Sequence, residues 1–328
     1  MRAGRRRWRP ARLLRPVAIS VPIKRPRPFA RLRRVGRDMR RQWTAYLFLS
    51  PGLVLFFTFT LFSIIFSFYL SFHEWNILDP AKPYVGLENY RDLAEDDRFG
   101  RAVINTAYFT FASIPLTMVL GLGVALLLDQ QIRARGFFRT LYYLPVITPL
   151  VVASIIWKWV YNADYGFLNY YLQQAGIINH PLFWLSDKNL AMPAVIGMNV
   201  WKGVGFDMVV FLAGLQAIPN ELYEAAKVDG AGAWQRFRRV TLPLLSPTFM
   251  FLIIIGVIFS FQVFTQIFVM TNGGPVDRAT TIVYYMYITA FKFFEMGYAT
   301  AIAYALFAMM FVFTLLQLRF YRREFSWL

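Results

Sequence analysis

Six apolar stretches dominate this 328-residue sequence, each long enough to cross a hydrocarbon core as a helix, which takes about 20 residues. They lie near Tyr46–Phe72, Ile104–Leu128, Thr140–Val160, Leu190–Leu215, Thr248–Met270 and Tyr298–Leu318. Inside a bilayer every backbone N–H and C=O needs a partner within the protein, and a run of this length supplies one by coiling into a helix. The expected fold class is therefore all-α, a polytopic membrane protein with six transmembrane helices. The third stretch is interrupted by Pro145 and Pro149 and carries Lys158 near its end. It reads either as a span whose freed carbonyls are satisfied by neighbouring helices or as a re-entrant hairpin.

The charges fall around these stretches unevenly. Hydrophobic residues make up 57% of the chain, yet its formal net charge is +17. Residues 1–43 hold 16 Lys/Arg against one acid, Asp38, whereas the remaining residues hold 19 Lys/Arg and 17 Asp/Glu. Basic residues also mark the link 129–139 (Arg133, Arg135, Arg139), the link 218–247 (Lys227, Arg236, Arg238, Arg239) and the end of the chain (Arg319, Arg322, Arg323). The link 73–103 is acidic, and the links 161–189 and 271–297 are nearly neutral. Lys and Arg accumulate on the cytoplasmic side of short loops. The pattern places both termini in the cytoplasm of a multi-pass cell-membrane protein.

Three segments follow: a basic tail over 1–43, the six-helix domain over 44–323, and a short end over 324–328. The tail is rich in Arg and Pro without apolar periodicity and is expected to stay largely disordered. Such a tail attracts anionic lipid or nucleic acid. It also reads as a topogenic anchor, or as an extension upstream of a start at Met39. No nucleic-acid partner is expected. The chain has no cysteine and only two histidines, His73 and His180, which excludes thiolate chemistry and leaves little for a metal centre.

The link between the fourth and fifth stretches carries the most local information. Pro219 suits the start of a helix, Glu221 and Glu224 suit its N-terminal end, and Gly230 suits its stop. A second short helix is expected through Trp234 and Phe237 to Leu242-Pro243, with Ser246-Pro247 in the cap-then-proline form opening the fifth span. The spacing predicts a helix–turn–helix under the membrane with a small, alanine-lined face.

Glu224-Ala225-Ala226, three residues, Gly230, nine residues, Val240, one residue and Leu242-Pro243 resemble the EAA signature of importer permeases, with Val240 in place of Ile. Ser50-Pro51-Gly52, Val85 to Tyr90, Phe138 to Pro145, Trp201 to Phe206, Thr271 to Pro275 and Phe291 to Ala303 are similar to segments of the maltose- and glycerol-phosphate-type sugar permeases. The likeness is to the first of their two permease subunits, and it spans roughly residues 42–323. It implies a second homologous permease, two ATPase subunits and an extracytoplasmic solute-binding protein as partners. It also implies that Glu224, Ala225, Ala226, Asp229, Gly230, Leu242 and Pro243 belong to the ATPase-coupling loop. ATP and Mg would be held by the partner ATPases. No G-x-x-x-x-G-K-[ST] pattern occurs in this sequence, so no cofactor and no catalytic residue are expected in the chain itself.

Charged and amide side chains inside apolar stretches mark pathway candidates. Lys202 falls about 18 Å into the fourth stretch at 1.5 Å per residue. Asp207, five residues on, is turned too far round an ideal helix to pair with it simply. Gln262 and Gln266, four apart, are expected to share one face of the fifth span. Each of the four either lines a watery path for a hydroxylated solute or bonds a neighbouring helix or freed backbone. The alternatives to an ATP-driven importer are an ion-coupled secondary carrier using Lys202 and Asp207, and a membrane enzyme or assembly factor. The first leaves the EAA segment unexplained, and no convergent catalytic set supports the second.

Overall fold

A computed structural model describes residues 43–130 and 132–324, with side chains as far as Arg319. Among these residues the secondary structure is helical, and the β-pairing consists of two isolated bridges, His73–Tyr84 and Asn76–Glu295. The basic tail before Trp43 and most of the segment 324–328 lie outside the described residues. Two compact units divide between Ser63 and Ile64.

The helices, in chain order, are α1 (Trp43–Leu70), α2 (Glu88–Glu95), α3 (Asp97–Asp129), α4 (Arg135–Ile147), α5 (Leu150–Val160) and α6 (Phe167–Gln174). They continue as α7 (Ala191–Gln216), α8 (Asn220–Val228), α9 (Ala233–Leu244), α10 (Ser246–Phe261), α11 (Ile282–Phe291) and α12 (Met296–Glu324). Helix α1 contains a π-helical turn at Phe56–Leu61 and is exposed along nearly its whole length.

Among the described residues four helices are long and apolar enough to cross a membrane, α1, α3, α7 and α12, or up to six if each of two bent pairs is one span. The pair α4 and α5 bends by 98°, because Thr148 and Pro149 are both extended between them. Proline lacks the N–H that would continue the ladder, and it disfavours helical geometry in the residue before it. The expected continuous stretch Thr140–Val160 is therefore two helices. The pair α9 and α10 bends by 59°.

Two further boundaries differ from the sequence-based expectation. Helix α3 begins at Asp97 rather than near Ile104, because Asp96 Oδ1 accepts from the Arg98 backbone N–H at 2.7 Å and caps it. Helix α10 stops at Phe261, and the chain resumes with a π-helical turn at Ile267–Thr271 instead of continuing to Met270 as one helix. The non-helical stretch is tolerated because Thr281 Oγ1 donates to the Val263 carbonyl at 2.9 Å. Ser246 opens α10 as expected, but its hydroxyl is buried without a hydrogen bond and caps nothing.

Helices α3 and α7 form the most extensive pairing in the larger unit. Small residues let them approach closely: a Cβ at Gly121 would lie 2.6 Å from Asp207 Cβ, and one at Gly203 would lie 2.9 Å from Thr117 Cγ2. At the start of α3, Asp96 Oδ2 accepts from Tyr285 Oη at 2.5 Å and Tyr298 Oη at 2.9 Å, which ties α11 and α12 to the same point. Burial alone would raise the Asp96 pKa. The bonds from Tyr285, the Arg98 amide and Tyr298 outweigh it and hold the carboxyl below its ordinary range.

Candidate functional site

A cavity of about 600 Å³ opens between α3, α7, α10 and the break after α10. The structure brings Lys202, Asp207, Gln262 and Gln266 together on its wall. Both glutamines follow the end of α10 at Phe261, Gln262 as its cap residue and Gln266 just before the π-helical turn, so they do not share a helix face as expected. Gln262 is exposed, whereas Gln266 is buried and donates through Nε2 to Asn199 Oδ1 at 3.1 Å. Asn199 also lines the cavity, and sequence reasoning missed it. Its spacing of three from Lys202 along α7, which places both on one helix face, was the available signal.

Lys202 is committed to backbone. Its ammonium donates to the carbonyls of Pro145 at 3.0 Å, Val146 at 3.1 Å and Thr148 at 2.7 Å. These are the carbonyls that the bend after α4 leaves without ordinary helical partners, and a cation at a helix C-terminus also meets the negative end of its dipole. Two more contacts fasten α4 to α7. Gly205 lies so close to the Tyr142 carbonyl that a Cβ there would collide with it. At the other end of α4, the Gln216 side-chain oxygen, with its amide turned toward the guanidiniums, accepts from Arg135 at 2.9 Å and Arg139 at 3.2 Å.

Asp207 is different. It is 9% exposed, packed against Gly121 and present on the cavity wall. Among the described residues its carboxyl takes part in no hydrogen bond or ion pair, and Lys202 is not its partner.

Three residues after α7 ends, the chain enters α8, which carries Glu224, Ala225 and Ala226. The expected helix–turn–helix is present. Gly230 adopts φ +79°, the Gly230 N–H donates to the Lys227 carbonyl at 3.0 Å and the Ala231 N–H to the Ala226 carbonyl at 2.8 Å, which closes the end of α8. Asp229 is its C-terminal cap residue, and Leu242 and Pro243 lie in the last turn of α9. Tyr223 Oη lies 3.0 Å from Thr241 Oγ1, so α8 is held against the far end of α9. The surface left open includes Glu224, which pairs with Lys227 at 2.7 Å in an exposed contact, and the apolar side chains of Leu222, Val228 and Trp234.

Among the described residues no group of three His, Cys, Asp or Glu side chains is placed to hold a metal ion. The arrangement is a largely apolar cavity carrying a few polar side chains, joined by one helix to the exposed surface of α8 and α9.

Comparison with known proteins agrees with that arrangement. Residues 113–325 match the family described as binding-protein-dependent transport system inner membrane component. The trehalose/maltose transport system permease protein MalF of Thermococcus litoralis is 34% identical over 274 residues, 84% of this chain and 92% of that protein. The sulfoquinovosyl glycerol transport system permease protein SmoG of Agrobacterium fabrum is 33% identical over 289 residues, 88% of this chain and 93% of that one. Among solved structures, a chain of a bacterial alginate ABC transporter in complex with a pentasaccharide-bound periplasmic protein superposes with a TM-score of 0.78 at 26% identity, over 89% of this chain and 98% of that one. With its EAA segment, its apolar helices and these relatives, the chain belongs to the family of inner membrane components of binding-protein-dependent transport systems, as an ABC transporter permease.

Proposed function

We propose that this chain is one of two permease subunits of an ABC importer for a sugar, oligosaccharide or polyol-type solute. In this reading each bent pair counts as one span, giving six, with both termini in the cytoplasm as the Lys and Arg distribution requires. A second, homologous permease completes the path, two ATPase subunits bind and hydrolyse Mg-ATP, and an extracytoplasmic binding protein delivers solute. The chain has no ATP site of its own. Its relatives transport trehalose and maltose, sulfoquinovosyl glycerol or alginate by their names, which supports the carbohydrate class.

The observation that carries the reading is the continuity of α7 with α8. The helix that lines the cavity with Asn199, Lys202 and Asp207 leads within three residues into the exposed EAA helix. Force applied by an ATPase to α8 therefore reaches the cavity wall through α7, and through the contacts of α7 with α3 and α4. Lys202 holds the wall in shape, and Gln266 is tied by its Nε2 to Asn199. Asp207 and Gln262 have no hydrogen bond among the described residues and are left to meet solute, with Gln266 keeping its side-chain oxygen for that purpose.

The test separates coupling from assembly. Gly230→Val adds a branched side chain at φ +79°, where nothing lies within 4 Å to clash, so the cost is local backbone strain of about 1–2 kcal/mol. Glu224→Lys reverses an exposed charge. Both variants should insert at normal levels yet lose solute-stimulated ATP hydrolysis and uptake. Full uptake by both, at normal protein levels, would refute coupling through this loop.

A further inference from the structure

We propose that Asp207 makes this cavity discriminate by charge, admitting neutral hydroxylated or cationic amino sugars and disfavouring acidic ones. The inference rests on the reading of the cavity as a sugar path and names the class of sugar.

Lys202 and Asp207 are the two residues on the cavity wall that carry formal charge, and their groups are used differently. An ammonium has three donors and no acceptor. All three donors of Lys202 are directed at carbonyls, at 3.0, 3.1 and 2.7 Å, so its charge is answered by backbone dipoles and it has no N–H left for an anion. Asp207 is its converse: nine-tenths buried, on the cavity wall, with no donor supplied by the described residues. Its oxygens are not among the buried polar atoms without a partner, so they open on the cavity, where a solute hydroxyl or ammonium can donate to them. A sugar carboxylate at the same place brings a like charge to the ionised form of Asp207, loses its own hydration and meets no free cation among the described residues of this wall. Of the nearby amides, Gln266 Nε2 is engaged by Asn199 at 3.1 Å, and those of Gln262 and Asn199 can donate a hydrogen bond but bring no charge to balance an anion. Gly121, packed against Asp207 Cβ, keeps the side chain from retreating into the helix pair.

Methyl glucoside and methyl glucuronide differ only at C6, and their equilibrium binding to the purified importer complex, without its binding protein, tests the proposal. The wild type should prefer the glucoside by roughly tenfold, equivalent to about 1.4 kcal/mol. Asp207→Asn, nearly isosteric in the tight contact with Gly121, should bring the ratio close to one, and Asp207→Glu should retain the preference. Equal binding of the two probes by the wild type overturns the proposal, as does a preference that survives in Asp207→Asn; in both cases the sugar-path reading stands. Absence of saturable binding of either probe to any of the three proteins, each assembled in normal yield, overturns the sugar-path reading itself and the proposal with it.

Discussion

Replacing Lys202 by methionine, which is unbranched and of similar length, removes three charge-assisted hydrogen bonds while keeping most of the packing. The Pro145 carbonyl keeps a second donor, the Thr148 N–H at 3.3 Å. The Val146 and Thr148 carbonyls lose the ammonium that reaches them at 3.1 and 2.7 Å. Leaving a fully buried carbonyl unpaired costs about 1–3 kcal/mol, so two set an upper bound of about 2–6 kcal/mol, which the partial exposure of Val146 and Thr148 to water lowers. Relief of the desolvated ammonium offsets part of this and leaves a net loss of about 2–4 kcal/mol. At about 2–4 °C per kcal/mol for a domain of this size, the melting temperature of the detergent-purified complex should fall by roughly 5–15 °C. Lys202→Gln retains two donors and should fall between the two. Uptake should drop in proportion to complex yield, by the same factor for any two solutes offered. A Met variant that melts within about 2 °C of wild type yet loses uptake of one solute more than another would refute the capping role and make Lys202 a solute contact.

Two further perturbations probe the frame around the cavity. The Asp96 pKa is depressed, so its ionised form stabilises the fold above the unfolded-state value near 3.9, and that contribution is lost as pH falls through the lower folded value; melting curves between about pH 5 and pH 3 should shift more for the wild type than for Asp96→Asn, and parallel shifts would rule out a stabilising role for the carboxylate. Gly205→Ala forces α4 away from α7 at the Tyr142 carbonyl and should lower thermal stability by about 1–3 kcal/mol, whereas Gly52→Ala, with nothing within 4 Å of the added Cβ, should leave it unchanged; equal melting temperatures for the two would show that α4 and α7 have room to separate.

The Lys202 bonds show where reading the chain as a string stops. That Lys202 and Asp207 do not pair follows from five residues of helical spacing, and the structure agrees. What Lys202 does instead depends on carbonyls more than fifty positions earlier in the chain, brought beside it by packing of α4 on α7. The glutamines make the same point from the other direction. Four-residue spacing places Gln262 and Gln266 on one face only while the helix persists, and it ends at Phe261, where Thr281 satisfies the freed Val263 carbonyl.

Local rules carried the apolar stretches, the stop at Gly230 and the helix–turn–helix of the EAA segment, because each depends on residues within a few positions of one another: hydrocarbon-length runs, a glycine at positive φ, a proline without its N–H. The break between α4 and α5 was half legible, since Pro145 and Pro149 announce an interruption but not a 98° bend. Tertiary structure alone decided that four polar residues from two distant segments face one cavity, that Lys202 spends its charge on backbone, and that Asp207 is left without a donor. The physical reason is one of range. Helix propensity and capping are set along the chain, whereas the partner of a buried polar group is whatever the packing of other helices brings within about 3 Å of it.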